Sequence, residues 1–112
     1  MKIGIVILNY NTPSLTYDIV KKCVNYSAIN EIVVVDNYSS DDCKNKLLMS
    51  LSKLDSHKLN IILNKNNSGY AVGNNIGLKK LSELGCDICI VSNPDVSFSN
   101  DLIQKEIKYL WA

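Results

Sequence analysis

After Lys2 the chain runs Ile-Gly-Ile-Val-Ile-Leu to Leu8, an almost unbroken β-branched stretch. Such a run marks a strand buried on both faces, the kind found in parallel sheets covered by helices. The pattern then repeats. Glu31-Ile-Val-Val-Val35, ending at Asp36, is a second buried strand, Leu59 to Leu63 a third and Ile88 to Val91 a fourth. Between them the apolar residues fall at helical spacing. Thr12 and Pro13 suit the N-cap and first position of a helix carrying Leu15, Ile19, Val20, Cys23 and Val24. Ser40 or Asp41 can cap a second helix with Leu47, Leu48, Leu51 and Leu54 on its apolar face. A Gly- and Asn-rich turn from Asn64 to Gly69 precedes a third, carrying Val72, Ile76, Leu78, Leu81 and Leu84, with Gly85 as its stop. A last helical pattern covers about 100–111. The order β-α-β-α-β-α-β-α predicts an α/β fold, a Rossmann-like three-layer α/β/α arrangement with a mainly parallel sheet.

With 112 residues, the chain is read as a single domain over 1–112, long enough to bury a core of its own. Its 46% hydrophobic and 21% charged content excludes a disordered or fibrous chain. A net charge of +1 gives no field for nucleic acid or an anionic membrane. All 12 basic residues are Lys, so no guanidinium clamp on phosphate is available. Asn makes up one residue in eight, a bias that lowers the weight of any isolated Asn.

The apolar run Ile3–Leu8 is too short for a signal peptide, and no stretch approaches the length of a membrane span. Reduced thiols are therefore expected at Cys23, Cys43, Cys86 and Cys89. Cys86 and Cys89 have the C-x-x-C spacing of redox and zinc motifs. However, Cys89 lies in a strand pattern, where residues three apart point to opposite faces, and the chain has no second C-x-x-C and only His57. Buried structural thiols are the expectation there.

Parallel α/β sheets bind ligands outside the carboxyl ends of their strands. Here those ends hold Asn9-Tyr10-Asn11, Asp36-Asn37, Asn64 to Gly69 and Asn93-Pro94-Asp95, so the polar residues converge on one edge. Asp36 could accept hydrogen bonds from a ribose or a base, or be a solvated loop acid or helix cap. Asp95, presented by a Pro-stiffened turn, suits a hard cation shared with substrate phosphates, or simply a turn leaving the strand. Small residues from Asn67 to Gly77 would let backbone N–H groups approach an anion at a helix N-terminus. Gly73 and Gly77, four apart, would also let that helix pack closely.

Competing sites fail on particulars. No G-x-G-x-x-G or P-loop follows the first strand, where Asn9-Tyr10-Asn11-Thr12 stands instead. An acidic cluster for a phosphoacceptor is missing from the same place. The single His, His57, leaves no plausible Ser-His-Asp set.

Four stretches in this order, over about nine-tenths of the chain, resemble the donor-binding half of family 2 glycosyltransferases. They are Ile5–Asn11, Ile32–Asp41 (like the family's VVDNxSxD signature), Asn67–Gly77 (like its NxGfaxgNNxG loop and helix) and Ser92–Val96, at its D-x-D position. The resemblance implies the GT-A nucleotide-diphospho-sugar transferase fold, here truncated. It implies that Asn9, Tyr10 and Asn11 line the nucleotide pocket and that Asp36 accepts from a pyrimidine ring with the Asn37 to Asp41 loop alongside. Gly69 and its neighbours, with Asn74 and Asn75, would border the ribose and diphosphate, with Asn93 beside them. Asp95 would bind a divalent cation, Mg²⁺ or Mn²⁺. The implied reaction is inverting transfer from a dTDP- or UDP-sugar to a hydroxyl of a saccharide or lipid-linked acceptor.

Two departures accompany the match. Asn93 replaces the first D-x-D acid, a variant similar to the rhamnosyltransferase-type branch and so to polysaccharide biosynthesis with a dTDP-rhamnose donor. The family's acceptor-binding half and catalytic base are expected beyond Ala112, so this chain alone should transfer little. The alternative is a short nucleotide-binding or pseudoenzyme module acting with a partner. In either case an exposed sheet edge would favour self-association. The resemblance implies a cytoplasmic protein, at the inner membrane face in longer members.

Overall fold

The computed structural model describes residues 1–67, 69–94 and 99–104. Its elements follow the predicted order: β1 (Ile3–Asn9), α1 (Pro13–Val24), β2 (Glu31–Asp36), α2 (Asp41–Leu51), β3 (Leu59–Leu63), α3 (Tyr70–Glu83) and β4 (Ile88–Ser92). A further helix begins at Asn100, and the rest of that predicted segment lies outside the described residues. The four strands form one sheet in the order β3-β2-β1-β4, and every pair is parallel.

Alternation along β1 and β2 divides the core in two. Ile5, Ile7, Ile32 and Val34 pack against Ile19, Val20 and Cys23 of α1 and Leu47 and Leu51 of α2. Val6, Leu8, Val33 and Val35 face the other way, toward Leu81 of α3. Both faces of the central strands are thus dry, which is why their sequence is apolar without alternation. The three-layer arrangement is the one expected.

The outer strands differ. Ile61 and Leu63 of β3 and Val91 of β4 are exposed. Each has a β-rich sequence much like that of the central strands, and its position at an edge follows from the crossovers. β2 and β3 are laid down successively to one side of β1. The chain then returns past β1 to place β4 on the other side.

Local signals explain the helix ends. Pro13 opens α1 behind Thr12, and Ser40 caps α2 by accepting from the Cys43 amide at 3.3 Å. Thr12 holds the expected position, but its hydroxyl donates to Asn9 Oδ1 and makes no cap bond. Gly85, at φ +84°, stops α3 in the left-handed region that favours glycine.

The interior position of Cys23 gives a chemical prediction. Burial pushes its thiol up to about 12, with Lys58 opposing. The folded thiol therefore stays protonated above the ordinary value of about 8.5. Its contribution to stability is full below that pH and is lost as pH rises from there toward the folded value. Native labelling with a maleimide near neutral pH should leave Cys23 intact while exposed Cys89 reacts. Equal labelling of the two would contradict this burial.

Cys86 and Cys89 are not the buried structural thiols that the sequence suggested. Cys86 is half-buried and Cys89 exposed. The opposite-face rule does not apply to them, because Cys86 precedes β4 and is not part of it.

Candidate functional site at the carboxyl edge

The strand order reverses direction between β1 and β4, and the crevice at such a reversal is where parallel α/β sheets take ligands. A cleft of about 310 Å³ opens there. Leu8, Tyr10, Thr12 and Leu15 line it from β1 and the start of α1, Tyr70 from the start of α3, and Asn93 and Pro94 from the end of β4. Its walls combine apolar surface with a few polar groups, the usual make-up of a small-molecule site.

Beneath this surface lies a closed polar network. Asn9 and Asp36 are register partners at the ends of β1 and β2, and both are fully buried. Asn9 Nδ2 donates to Asp36 Oδ1 at 2.9 Å and to Ser39 Oγ at 3.2 Å. Asn9 Oδ1 accepts from Thr12 Oγ1 at 3.2 Å and Thr16 Oγ1 at 2.6 Å. That uses the whole donor and acceptor capacity of an amide side chain. Asn9 therefore sits under the pocket floor and orients its neighbours; the pocket wall itself belongs to Tyr10.

Asp36 is held as firmly. Its Oδ1 also accepts from Ser39 Oγ at 2.6 Å, and Oδ2 accepts from the Ser39 amide at 3.2 Å. Asn11 ties the same two loops from above. Its amide donates to Ser39 Oγ at 2.9 Å, and its Oδ1 accepts from the Ser40 amide at 2.8 Å. Two side chains here take positive φ, Asn11 at 55° and Tyr38 at 65°. Asn tolerates that region well, whereas a bulky residue such as Tyr38 is strained in it. Strain of this kind persists where surrounding bonds over-determine the loop, and it concentrates at ligand sites.

On the opposite face Asn37 joins the third loop. It donates to Asn67 Oδ1 at 3.0 Å and to the Gly69 carbonyl at 3.3 Å, and accepts from Asn64 Nδ2 at 3.2 Å. The Asn-rich turn is thus a fixed support. Gly69, at φ +94°, leads into α3, whose first turn has no side-chain cap. Among the described residues the first backbone bond into that helix comes from the Gly73 amide to the Gly69 carbonyl, and the N–H groups of Tyr70, Ala71 and Val72 find no acceptor there. Tyr70 donates its hydroxyl to Asn93 Oδ1, joining α3 to the end of β4 across the cleft.

Asn74 and Asn75, adjacent on α3, part company. Asn75 is exposed, while Asn74 is buried with its Oδ1 lacking a partner among the described residues. Asp95 lies outside the described residues. Among those described, no three His, Cys, Asp or Glu side chains come together as a metal cluster.

Sequence reasoning missed Thr16, and placed Tyr38, Ser39 and Tyr70 only as parts of the Asn37–Asp41 loop and the surroundings of Gly69, without individual roles. Thr16 was detectable as the polar residue in the apolar stripe of Ile19, Val20 and Cys23. Ser39 was visible inside the strand-end motif. The aromatics carried no signal beyond their neighbourhood.

The family follows from comparison of the whole chain. The family model of glycosyl transferase family 2 matches residues 4–111. The chain belongs to that family. No curated protein matches it. Among solved structures it is similar to the mannosyltransferase PcManGT from Pyrobaculum calidifontis, in complex with GDP-Man and Mn²⁺, with TM-score 0.83 and 17% identity. That match covers 99% of this chain and 32% of the other. S. aureus TarS gives TM-score 0.74 at 17% identity over 98% of this chain and 32% of that one. GalNAc-T7, with UDP, GalNAc and Mn²⁺, gives 0.59 at 21% identity over 70% of this chain and 15% of its own. The GT-A fold is thereby shown, and the chain spans about a third of the first two structures it matches. No helix among the described residues is long and apolar enough to cross a membrane.

Proposed function

We propose that this chain forms the donor-binding part of an inverting glycosyltransferase that uses a nucleotide-diphosphate sugar. The observation that carries the reading is the uncapped N-terminus of α3 at the rim of the β1–β4 cleft. Its three N–H groups, without an acceptor among the described residues, and the helix dipole favour a diphosphate. In a chain without Arg, backbone groups of this kind are the natural recognition device.

The nucleotide base would lie against Tyr10, with Asp36 as its polar contact. Among the described residues Asp36 Oδ2 has one partner, which leaves acceptor capacity for a pyrimidine N–H. Because Asp36 is fully buried, that contact requires the turn through Tyr38 to shift. A dTDP- or UDP-sugar suits this arrangement. Gly69 and Asn75 would border the ribose and diphosphate, and the spare oxygen of buried Asn74 would take a donor N–H or hydroxyl if the helix start rearranged.

The donor set fits a divalent cation, Mg²⁺ or Mn²⁺, held mainly by the substrate's phosphates. Asn93 would contribute a neutral oxygen at the edge, and Asp95, outside the described residues, would be the carboxylate. Bound there, the cation supplies charge neutralisation of the departing nucleotide diphosphate. The chain's own residues would fix the base and the diphosphate, leaving the anomeric carbon open to an acceptor hydroxyl on the opposite face. That acceptor is proposed to be a saccharide or lipid-linked saccharide at the cytoplasmic side of a membrane.

Calorimetric titration of dTDP, UDP and GDP in the presence of Mn²⁺ or Mg²⁺ tests this. A pyrimidine nucleotide should bind in a cation-dependent way, and Asp95→Ala should weaken that binding on the order of tenfold or more. No heat with any nucleotide would sink the donor-site reading.

A further inference from the structure

At the far end of the sheet, away from the cleft, Gly4 of β1 has thiols on two sides. A Cβ at Gly4 would meet Cys86 Sγ at 2.8 Å and a Leu81 methyl at 2.5 Å. The missing side chain is therefore the hollow in which the Cys86 thiol stands. Cys89 is the register partner of Gly4 on β4, one ladder step of about 4.8 Å away. Registered residues in a parallel pair present their side chains to the same face, so Cys89 points to the side on which Cys86 lies. The chain can fold back between them because Gly85 takes positive φ and Asp87 is a bend, tied down by its amide to the Lys2 carbonyl at 2.7 Å. α3 packs mainly on β1 and β2, and Cys89 is left open to solvent.

We propose that Cys86 and Cys89 form a reversible dithiol–disulfide pair that reacts with low-molecular-weight disulfides. Accessible Cys89 is the entry thiol and half-buried Cys86 resolves the adduct. In the first step the Cys89 sulfur loses its proton and attacks one sulfur of RSSR. A Cys89–S–SR bond forms and RS⁻ leaves, taking up the proton. Cys86 then loses its proton and attacks the Cys89 sulfur, forming the Cys86–Cys89 bond and expelling the second RS⁻. Two protein thiols and RSSR become one protein disulfide and two RSH, so the protein is oxidised by two electrons and the small disulfide is reduced by two. Burial and the neighbouring Cys89 raise the Cys86 thiol, which accords with an accessible thiol reacting first. The pair is independent of the glycosyltransferase reading, since it uses none of the cleft residues.

The test is incubation of the full chain with oxidised glutathione, followed by digestion after Lys without reduction and mass measurement of peptide 81–105, which holds both cysteines. The expected product is that peptide lighter by two hydrogens, restored by dithiothreitol, while Cys23 stays reduced. Cys86→Ser should stop at a glutathione adduct on Cys89. Cys89→Ser should lower the rate of oxidation in this peptide on the order of tenfold or more. A lasting glutathione adduct on wild-type Cys89, a disulfide between two chains through Cys89, or no reaction in this peptide would each overturn the proposal.

Discussion

Asp36→Ala is expected to destabilise the protein by roughly 3 kcal/mol, near the upper range for losing hydrogen bonds to a charged-type acceptor. The carboxylate is fully buried and receives three bonds, from Asn9 Nδ2, Ser39 Oγ and the Ser39 amide. Alanine would leave these donors without their acceptor in a place water does not reach. Asp36→Asn keeps the shape and should cost less, about 1–2 kcal/mol, because one amide oxygen can still accept while its NH₂ faces donors. Asn9→Ala should resemble Asp36→Ala, and the double variant should be less destabilised than the sum of the two. Urea unfolding of these four variants and the wild type measures this. Additive losses would show that the two residues act separately, and a loss below about 1 kcal/mol for Asp36→Ala would remove the network from the account of the fold.

This network shows what the sequence could and could not disclose. The central strands were legible because Ile5, Val6, Ile7 and Val33 to Val35 are buried on both faces, so composition alone marks them. The convergence of Asn9, Asp36, the Asn64–Gly69 turn and Asn93 was legible because parallel strands put their carboxyl ends together. Which of those residues face a ligand was not legible. Asn9 and Asp36 close the polar end of the α1-side core, whereas Tyr10 and Asn93 reach the cleft, and this division depends on register and on Thr16 and Ser39 as partners.

Edges were equally hidden. Leu63 of β3 and Val91 of β4 read like central-strand residues, and only the crossovers put them outside. Tyr38 in the left-handed region runs against local preference, so no sequence rule would place it there. Strand alternation does not govern the Cys86–Cys89 pair, because Cys86 precedes the strand.

Gly77→Ala is expected to lower stability by about 1–3 kcal/mol, although alanine is the better helix former. A Cβ at this position would stand 2.4 Å from Val6 Cγ1, 2.9 Å from Val6 Cγ2 and 3.2 Å from Val35 Cγ2. Val6 and Val35 are both fully buried in central strands, and β-branched side chains have little rotamer freedom with which to yield. α3 itself must then move outward. The gain in helix propensity is at most about 1 kcal/mol, so the steric term decides the sign. The displacement has a consequence at the cleft, because the same helix carries Tyr70 and the N-terminal N–H groups, and at Gly73 one turn earlier an added Cβ would meet a Leu8 methyl at 2.7 Å. Gly77→Ala should therefore weaken nucleotide binding as well as stability, while a larger residue at exposed Asn75 on that helix should leave stability within about 0.5 kcal/mol. Chemical denaturation of both variants and nucleotide titration of Gly77→Ala measure this. An unchanged midpoint for Gly77→Ala would mean that α3 does not rest on the sheet through its glycines.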